Sequence, residues 1–235
     1  MDPQFRPLLE AATRAYGEAG KYAWNFARGK LRHDPVFLAL LRGGLLPDRG
    51  TLLDAGCGRG VLLSLLSAAK EQYAAGRWPS GWPAPPTRLE LRGIDSHPAR
   101  VRLARRVLGG SAQVEQRDLR EFEFAPCAAI VLLDVLLYLG EAEQERVLGK
   151  AAAALEPGGL LLLREADAGA GLAFHATRCS ALLEAALRGS FARLRCRSAA
   201  DWSAALARHG LAVHAQPMSR GTPFANVLFV ARKVV

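Results

Sequence analysis

Cysteine is scarce in this sequence of 235 residues, and its four copies form no CxxC pair and no cluster with histidine at zinc-ligand spacing. The sequence therefore predicts no metal site. In a reducing compartment, a chain of this length is expected to keep its cysteines as small buried apolar side chains. The four residues are Cys57, Cys127, Cys179 and Cys196.

Long apolar runs are also missing. The longest, AAIVLLDVLLYL and LLLL, are too short or too interrupted to cross a bilayer. The amino end, MDPQFRPLLEAATRAYG, lacks the apolar core of about 7–15 residues that a signal peptide needs. We therefore expect a soluble, cytoplasmic protein with no transmembrane segment.

Acidic residues are outnumbered, with 22 Asp and Glu against 31 Lys and Arg and a net charge of +9. Arginine is densest at Arg100–Arg106 and Arg188–Arg197. Such a balance favours an acidic partner, namely nucleic acid, anionic lipid, an anionic substrate or an acidic carrier protein. The alternative is an arginine-rich surface that only contacts solvent.

What the sequence does contain is an alternation of strands and helices. Helical spacing covers residues 4–20 and 34–42, with Asp34 and Pro35 as N-cap and first-turn residue. Seven strand-like segments follow, with helices between most of them, and a Pro- and Gly-rich loop covers residues 76–87. The helix EAEQERVLGKAAAALEPGG is expected to end at its Pro-Gly-Gly. The seven strand segments are TLLDAG, RLELRGID, AQVEQRD, AAIVLLD, LLLLRE, LAVHAQPM and ANVLFVARKVV.

Strands that are apolar on both faces and alternate with helices are typical of a parallel sheet covered on both sides. The last two strands are separated only by a short turn, so the final strand is expected to be antiparallel. The fold class predicted is α/β, a doubly wound, mostly parallel seven-stranded sheet with an antiparallel last strand and a helical N-terminal extension.

The segment TLLDAGCGRGVLL places glycines between a strand and a helix, where a ligand is usually held. No Lys-Ser/Thr follows the glycines, which excludes a phosphate-binding P-loop. The spacing Gly56, Gly58, Gly60 differs from the dinucleotide fingerprint GxGxxG. Asp54 would repel a pyrophosphate and attract an ammonium or sulfonium. Cys57 and Arg59 are interpreted as spacers whose backbone matters more than their side chains.

Acids recur at the ends of four predicted strands, at Asp54, Asp95, Asp118 and Asp134. In open α/β sheets the ligand crevice lies outside the carboxyl ends of the strands, so these acids are expected to share one rim. A single acid in such a position is often only a helix N-cap. Four in sequence, with glycines after the first, favour S-adenosylmethionine (SAM), which has a cationic amino-acid end, a ribose diol and an adenine.

Five segments occur in the order of a known motif set: LLDAGCGRG, LRGID, EQRDLREF, IVLLDVLLYL and LEPGGLLLLRE. Over residues 51–165 they resemble the class I SAM-dependent methyltransferases, which implies a Rossmann-like fold. The segments FARGKLRHDPVF and MSRGTPFANVLFVARK are further similar to methyltransferases encoded beside bacterial aryl-polyene or xanthomonadin-type pigment genes. One domain is expected over 1–235, with a helical cap (1–48), a SAM-binding half (49–165) and substrate-side helices and closing strands (166–235).

The expected cofactor is SAM, and its product S-adenosylhomocysteine (SAH). Asp54 would meet the ammonium, and Asp95 would accept from the ribose hydroxyls. Asp118 would accept from the adenine amino group while the Leu119 amide donates to the ring. The candidate cofactor-binding residues are Asp54, Gly56, Cys57, Gly58, Gly60, Asp95, Ser96, Asp118, Leu119, Asp134, Arg28 and Lys30.

Arg28 and Lys30 lie in the segment YAWNFARGK, which we expect to fold over the cofactor and neutralise its carboxylate. The alternative for this segment is a surface basic loop with its aromatic residues packed below it.

Methyl transfer relies mainly on holding nucleophile, carbon and sulfur in line, so a general base is optional. Tyr138 and His175 are the candidate catalytic residues, although packing roles would explain both. Three residues at or just past the end of the fifth strand are candidates for substrate contact: Arg164, Glu165 and Asp167.

Three functions stay open. The first is methylation of a small-molecule acceptor or one carried by an acidic acyl carrier protein, in pigment, polyketide or lipid biosynthesis. The second is an RNA or tRNA methyltransferase, favoured by the charge; against it, Asp134 is not followed by a [D/N]-PP-aromatic loop and no RNA-binding module fits. The third is a SAM-binding protein without catalysis.

Overall fold

A computed structural model describes residues 2–187 and 194–234. The chain divides into two compact units, Met1–Phe122 and Glu123–Val235, and each has its own strands and helices. The single domain expected over 1–235 stays a prediction. The expected basic patch at Arg188–Arg197 falls partly on residues 188–193, which lie outside the described residues.

The first unit consists of three parallel strands in the order β3-β2-β1 and the helices that pack with them. Three helices come before the first strand, and the other two follow β1 and β2. The elements are α1 (Arg6–Ala19), α2 (Lys21–His33), α3 (Pro35–Arg42), β1 (Arg49–Ala55), α4 (Val61–Ala74), β2 (Arg88–Asp95), α5 (Pro98–Leu108) and β3 (Gln113–Gln116).

Local chemistry accounts for these elements. The Asp34 carboxylate accepts from the Val36 N–H and Pro35 takes the first position of α3, so the predicted N-cap is confirmed. Helix α1 buries one face against its neighbours. The Ser64 hydroxyl of α4 donates to the Ala12 carbonyl of α1 at 2.7 Å, which joins the two helices.

The second unit has four strands in the order β4-β5-β7-β6. Strands β4 and β5 are parallel, and β7 is antiparallel to both of its neighbours, so the predicted antiparallel last strand is confirmed. The elements are β4 (Cys127–Leu133), α6 (Glu141–Ala154), β5 (Leu155–Ala166), α7 (Leu172–Leu187), α8 (Ala199–Arg208), β6 (Leu211–Pro217) and β7 (Asn226–Lys233). A short 3₁₀ turn at Leu136–Tyr138 follows β4.

Within the described residues the two units contain seven strands, in the order β3-β2-β1 in the first and β4-β5-β7-β6 in the second, and the antiparallel pairings among them are those of β7. The predicted α/β class is therefore confirmed. No helix in the described part of the chain is long and apolar enough to cross a membrane. In the same residues, no group of three or more His, Cys, Asp or Glu side chains is arranged to hold a metal ion.

Some sequence-based expectations were wrong. The alternative of a surface basic loop for the aromatic and basic segment is wrong, because residues 21–33 form a helix, α2. The Pro-Gly-Gly after α6 lies inside β5, where the register between β4 and β5 shifts between Cys127 and Ala129. A proline without an N–H is tolerated there because an irregular stretch of strand leaves its ladder position unpaired. Two of the four cysteines are not buried: Cys179 is exposed and Cys196 is half-buried.

Two glycines give a matched test of packing. A Cβ on Gly93 of β2 would lie 2.8 Å from Leu63 Cδ1 and 2.9 Å from Cys57 Sγ. A Cβ on Gly29 of α2 would meet none of the described residues within 4 Å. We expect Gly93→Ala to destabilise the protein by about 1–3 kcal/mol, because both neighbours are buried. Gly29→Ala should stabilise it by about 0.5–1 kcal/mol through helix propensity. Urea unfolding measures both, and equal effects would contradict the close packing at Gly93.

Candidate functional site

The glycine turn between β1 and α4 has a backbone that only glycine adopts readily. Gly56, Gly58 and Gly60 have φ values of 94°, 56° and 78°. A Cβ on Gly60 would lie 2.9 Å from Leu108 Cδ1 of α5, so Gly60 also permits close packing. Among the residues that the structure describes, a Cβ on Gly58 would meet nothing within 4 Å. The backbone at Gly58 therefore has open space beside it.

The Asp95 carboxylate fixes this turn against the end of β2. One oxygen accepts from the Gly58 N–H at 3.0 Å, and the other accepts from the His97 N–H at 2.8 Å. The side chain is buried, being only 8% exposed. A carboxylate can accept about four hydrogen bonds, so each oxygen keeps acceptor capacity for a ligand hydroxyl.

Asp54, the residue before the last of β1, is the second buried carboxyl beside the turn, and it is 4% exposed. No hydrogen bond to its carboxylate is found within the described residues. Burial, together with the negative charge of Asp95, raises the pKa of Asp54 to about 7. A cation placed beside this group would be attracted to its ionised form.

Side chains behind the turn are inert. Tyr16 of α1 is fully buried, and its hydroxyl donates to the Arg59 carbonyl at 2.7 Å. Burial raises the pKa of both the Tyr16 hydroxyl and the Cys57 thiol, so both keep their protons at neutral pH. Cys57 packs against Gly93 inside the unit, and its side chain thus does more than separate two glycines.

The residues expected at the adenine lie beyond β3. Asp118 comes two residues after the last residue of that strand, and its carboxylate forms an ion pair with Arg120. The hydrogen bond from Arg120 lowers the pKa of Asp118. Leu119 is buried, while Ser96 is exposed and its carbonyl accepts from Gln116 at 3.3 Å. Their roles at a cofactor stay predictions.

Arg28 and Lys30 both lie on α2, and each has a partner four residues away in the chain. The Arg28 guanidinium carbon lies 4.9 Å from the centroid of the Trp24 ring. Lys30 Nζ pairs with the Asp34 carboxylate at 2.9 Å. Their proposed contact with a carboxylate also stays a prediction.

Sequence reasoning did not find the role of the Arg59 side chain. Its guanidinium carbon lies 3.9 Å from the centroid of Phe26 and 4.9 Å from that of Tyr22. The two rings are four residues apart on α2 and therefore lie on one face of the helix. That spacing was a visible signal of an aromatic platform, although nothing in the sequence identified its cation.

In the second unit, Asp134 follows β4 with a φ of 58°, in the left-handed region. Its carboxylate is paired with the guanidinium of Arg164, whose side chain is completely buried. The geometry is bidentate and fixes the carboxylate plane. At least part of the hydrogen-bond acceptor capacity of Asp134 is therefore used by Arg164.

Glu165 is also buried, at 1% exposure, and one of its oxygens accepts from Val135 at 3.1 Å and from Leu136 at 2.7 Å. Its other oxygen is buried, and no hydrogen-bond partner for it lies in the described part of the chain. Burial, assisted by the charge of Asp134, raises the pKa of Glu165 to about 8. Glu165 therefore holds the start of the 3₁₀ turn that carries Tyr138.

The remaining candidates of this unit have simpler surroundings. Asp167 accepts from the Gly169 and Ala199 N–H groups, each at 2.9 Å, and so joins the end of β5 to the start of α8. His175 is exposed on α7 beside Phe174. Catalytic roles for Tyr138 and His175 stay predictions.

Known proteins resemble this chain over most of its length. A family pattern for a methyltransferase domain matches residues 23–216. A carboxy-S-adenosyl-L-methionine synthase from Chromohalobacter salexigens is 32% identical over 132 residues, which cover 52% of this chain and 44% of that protein. The chain spans less than half the length of the curated relatives it matches.

Solved structures share the fold at lower identity. An O-methyltransferase family protein from Burkholderia thailandensis is 19% identical, with a TM-score of 0.66 over 100% of this chain and 64% of the other. An O-methyltransferase family 2 protein from Planctomyces limnophilus, in complex with apigenin, is 18% identical, with a TM-score of 0.58 over 100% of this chain and 62% of the other.

The raised pKa of Asp54 makes stability depend on pH. A carboxyl whose folded pKa exceeds its unfolded value stabilises the fold most at low pH, and this contribution is lost as the pH rises through about 7. Asp54→Asn removes the ionisation. We expect the stability of the variant relative to the natural chain to increase by about 2.5 kcal/mol between pH 5 and pH 8, because the slope is ~1.4 kcal/mol per pH unit up to the folded pKa of about 7.

Urea unfolding at several pH values measures this difference. Asp48→Asn is the control, because the Asp48 carboxylate is exposed and Arg88 lowers its pKa, so it is ionised throughout that range. A difference that stays constant with pH for Asp54→Asn would contradict the raised pKa.

Proposed function

Because this chain belongs to the methyltransferase-domain family, we propose that it transfers a methyl group from SAM to a small-molecule or carrier-bound acceptor. Members of this family use SAM as the methyl donor. One observation carries the proposal: two buried carboxyls, Asp54 and Asp95, lie at a glycine turn whose Gly58 backbone has open space beside it.

The residues of the turn fit SAM by their chemistry. Asp95 is fixed by two backbone N–H groups and keeps acceptor capacity for the ribose hydroxyls. Asp54 lacks a hydrogen-bond partner within the described residues and suits a cationic amino-acid end. Gly58 allows close approach of the backbone. When bound, SAM supplies a methyl group already activated by its sulfonium.

The protein's own contribution is then mainly positioning. The hydrogen bonds between Asp95 and the glycine turn keep the turn in one conformation, which lowers the entropy cost of alignment. On the acceptor side, we propose that Tyr138 and His175 contact the acceptor, with His175 able to take a proton from it. A dedicated base is not required when the acceptor is already a good nucleophile.

The acceptor class is proposed from charge and resemblance. Helix α5 carries exposed arginines, Arg102, Arg105 and Arg106, which suit an acidic acyl carrier protein or a carboxylated acceptor. The similarity to methyltransferases of pigment gene clusters supports a place in bacterial cytoplasmic secondary metabolism.

A second candidate is formation of carboxy-SAM, because the curated relatives with 32% and 35% identity are named carboxy-S-adenosyl-L-methionine synthases. Those matches cover 52% and 33% of this chain. The two activities differ in what happens to SAM. Methyl transfer removes its methyl group, whereas carboxy-SAM formation replaces one hydrogen of SAM by a carboxyl group from a carboxylated donor, which takes up that hydrogen.

Binding tests the cofactor directly. We expect calorimetry to show SAM and SAH binding and no NAD binding, and Asp95→Ala to weaken SAH at least tenfold, ~1.4 kcal/mol. The reason is loss of both the diol acceptor and the hydrogen bond to Gly58. Asp48→Ala, which removes an exposed carboxylate, should leave the affinity unchanged. Tight NAD binding without SAH binding would overturn the proposed cofactor.

Mass spectrometry separates the two candidate activities. The protein is incubated with SAM and the small-molecule fraction of a bacterial extract, and the nucleosides are then analysed. We expect SAH to accumulate together with a methylated product. A nucleoside heavier than SAM by one CO₂ would favour carboxy-SAM formation instead, and methylated RNA with steeply salt-dependent binding would favour an RNA acceptor.

A further inference from the structure

The 3₁₀ turn after β4 carries Tyr138, the residue proposed to contact the acceptor. Two hydrogen bonds within the turn close it. The Tyr138 N–H donates to the Val135 carbonyl at 3.3 Å, and the Leu139 N–H donates to the Leu136 carbonyl at 2.9 Å. Because hydrogen-bond geometry in a 3₁₀ turn is poorer than in an α-helix, the conformation of so short a turn depends on the groups packed around it.

Gln144 of α6 supplies such a group, and its side chain is completely buried. Its Nε2 donates to the Leu136 carbonyl at 3.0 Å and to the Leu139 carbonyl at 3.3 Å, at the two ends of the turn. The same Nε2 donates to the Arg195 carbonyl at 2.9 Å, in the segment 194–198 before α8. One carboxamide therefore joins both ends of the turn to a segment 51 residues further along the chain.

Arg197 determines which way this amide points. Arg197 Nε donates to Gln144 Oε1 at 2.7 Å, and its Nη1 donates to the Glu145 carboxylate at 2.5 Å. Its guanidinium carbon lies 5.0 Å from the centroid of the Trp202 ring. A flipped amide would place its NH₂ against the guanidinium and its oxygen against three carbonyls, so only one orientation satisfies both sides. Arg197 thus keeps the donors of Gln144 directed at the turn.

The two ends of the turn are held by different parts of the second unit. Glu165 of β5 accepts from two backbone N–H groups at the start of the turn. Near the other end, the Leu137 carbonyl accepts from the Arg195 N–H at 2.8 Å. Gln144 bonds to the Arg195 carbonyl as well, so it fixes the segment that supports this end. The end that carries Tyr138 therefore depends on the Gln144 carboxamide.

We propose that Gln144 is a positioning residue for methyl transfer, because it fixes the turn that presents Tyr138 to the acceptor. This inference rests on the proposed function and adds to it a buried residue that acts through another side chain. Alignment supplies most of the catalysis in such a reaction, and a misplacement of about 1 Å costs on the order of 100-fold in rate. Loss of the Gln144 amide should therefore lower the rate of transfer and leave cofactor binding unchanged.

Two variants of Gln144 and one matched control test the proposal. Gln144→Met keeps the approximate size of the side chain and removes the amide, whereas Gln144→Asn keeps the amide on a stem one methylene shorter. Gln72→Met is the control, because Gln72 is likewise buried on a helix and its Oε1 accepts from Arg77 Nε at 2.9 Å. Gln72 belongs to α4 in the first unit, whereas the turn belongs to the second.

The rate is measured as SAH formed per folded protein, with saturating SAM and increasing amounts of the small-molecule fraction of a bacterial extract. We expect Gln144→Met to lower the maximal rate at least tenfold, Gln144→Asn to lower it less, and Gln72→Met to change it less than twofold. Calorimetry should show SAH affinities within twofold of the natural protein for all three, because the proposed contacts at the glycine turn lie in the first unit.

A double variant shows whether Gln144 acts through Tyr138. Residues that act as a unit have non-additive effects, whereas independent ones add. We expect Gln144→Met to lower the residual rate of Tyr138→Ala less than twofold. Hydrogen exchange followed by mass spectrometry reports the turn itself, and the peptide containing residues 137–139 should exchange at least tenfold faster in Gln144→Met and unchanged in Gln72→Met.

Arg197→Lys provides a second route if Gln144→Met does not fold. It keeps a cation beside Glu145 and removes the Nε donor that orients Gln144. We expect faster exchange of the turn and a lower maximal rate, both in smaller measure than for loss of the amide.

Additive losses in the double variant, or faster exchange of the turn with an unchanged rate, would mean that Gln144 only stabilises the fold and would overturn the proposal. A natural protein that forms SAH while Gln144→Met loses no rate would refute the positioning role alone. If the natural protein itself forms no SAH from SAM with the extract, the proposed function fails, and the role of Gln144 in it falls with it.

Discussion

The candidate site depends on one carboxylate, that of Asp95, which accepts from the backbone N–H groups of Gly58 and His97. These two bonds connect the glycine turn after β1 with the start of α5. Without them, a run of three glycines with positive φ would have many conformations of similar energy. The same side chain that suits a ribose diol thus also organises the surface on which a cofactor would lie.

Buried carboxyls come with a cost in both units. Asp54 lies at the turn without a hydrogen-bond partner among the described residues, and Glu165 has one buried oxygen in the same condition. Burial raises the pKa of each, so ionisation near neutral pH opposes folding. A cation beside Asp54 would offset the destabilisation that its ionisation causes. Natural proteins commonly give up some folding stability to keep a binding site ready for its ligand.

The sequence predicted features that depend on neighbours in the chain. Asp54 with its glycines and Asp95 at a strand end are short-range patterns, and the N-cap at Asp34 is equally local. The Arg59 contact with Phe26 was not predictable, because it joins residues 33 positions apart. The Pro-Gly-Gly at Pro157 was predicted to follow a helix, but it lies inside β5. Its place there depends on a register shift in the pairing of β5 with β4, which no local pattern in the sequence reveals.

Helix α1 supports the glycine turn and α4 by two hydrogen bonds, and these bonds bear on where the chain can be shortened. The methyltransferase-domain pattern begins at residue 23, whereas Tyr16 and Ala12, which bond to Arg59 and Ser64, come before it. A fragment cut at the family boundary would keep every motif residue and lose both hydrogen bonds. We therefore expect the conformation of the glycine turn to depend on α1, which lies before the residues that the family pattern matches.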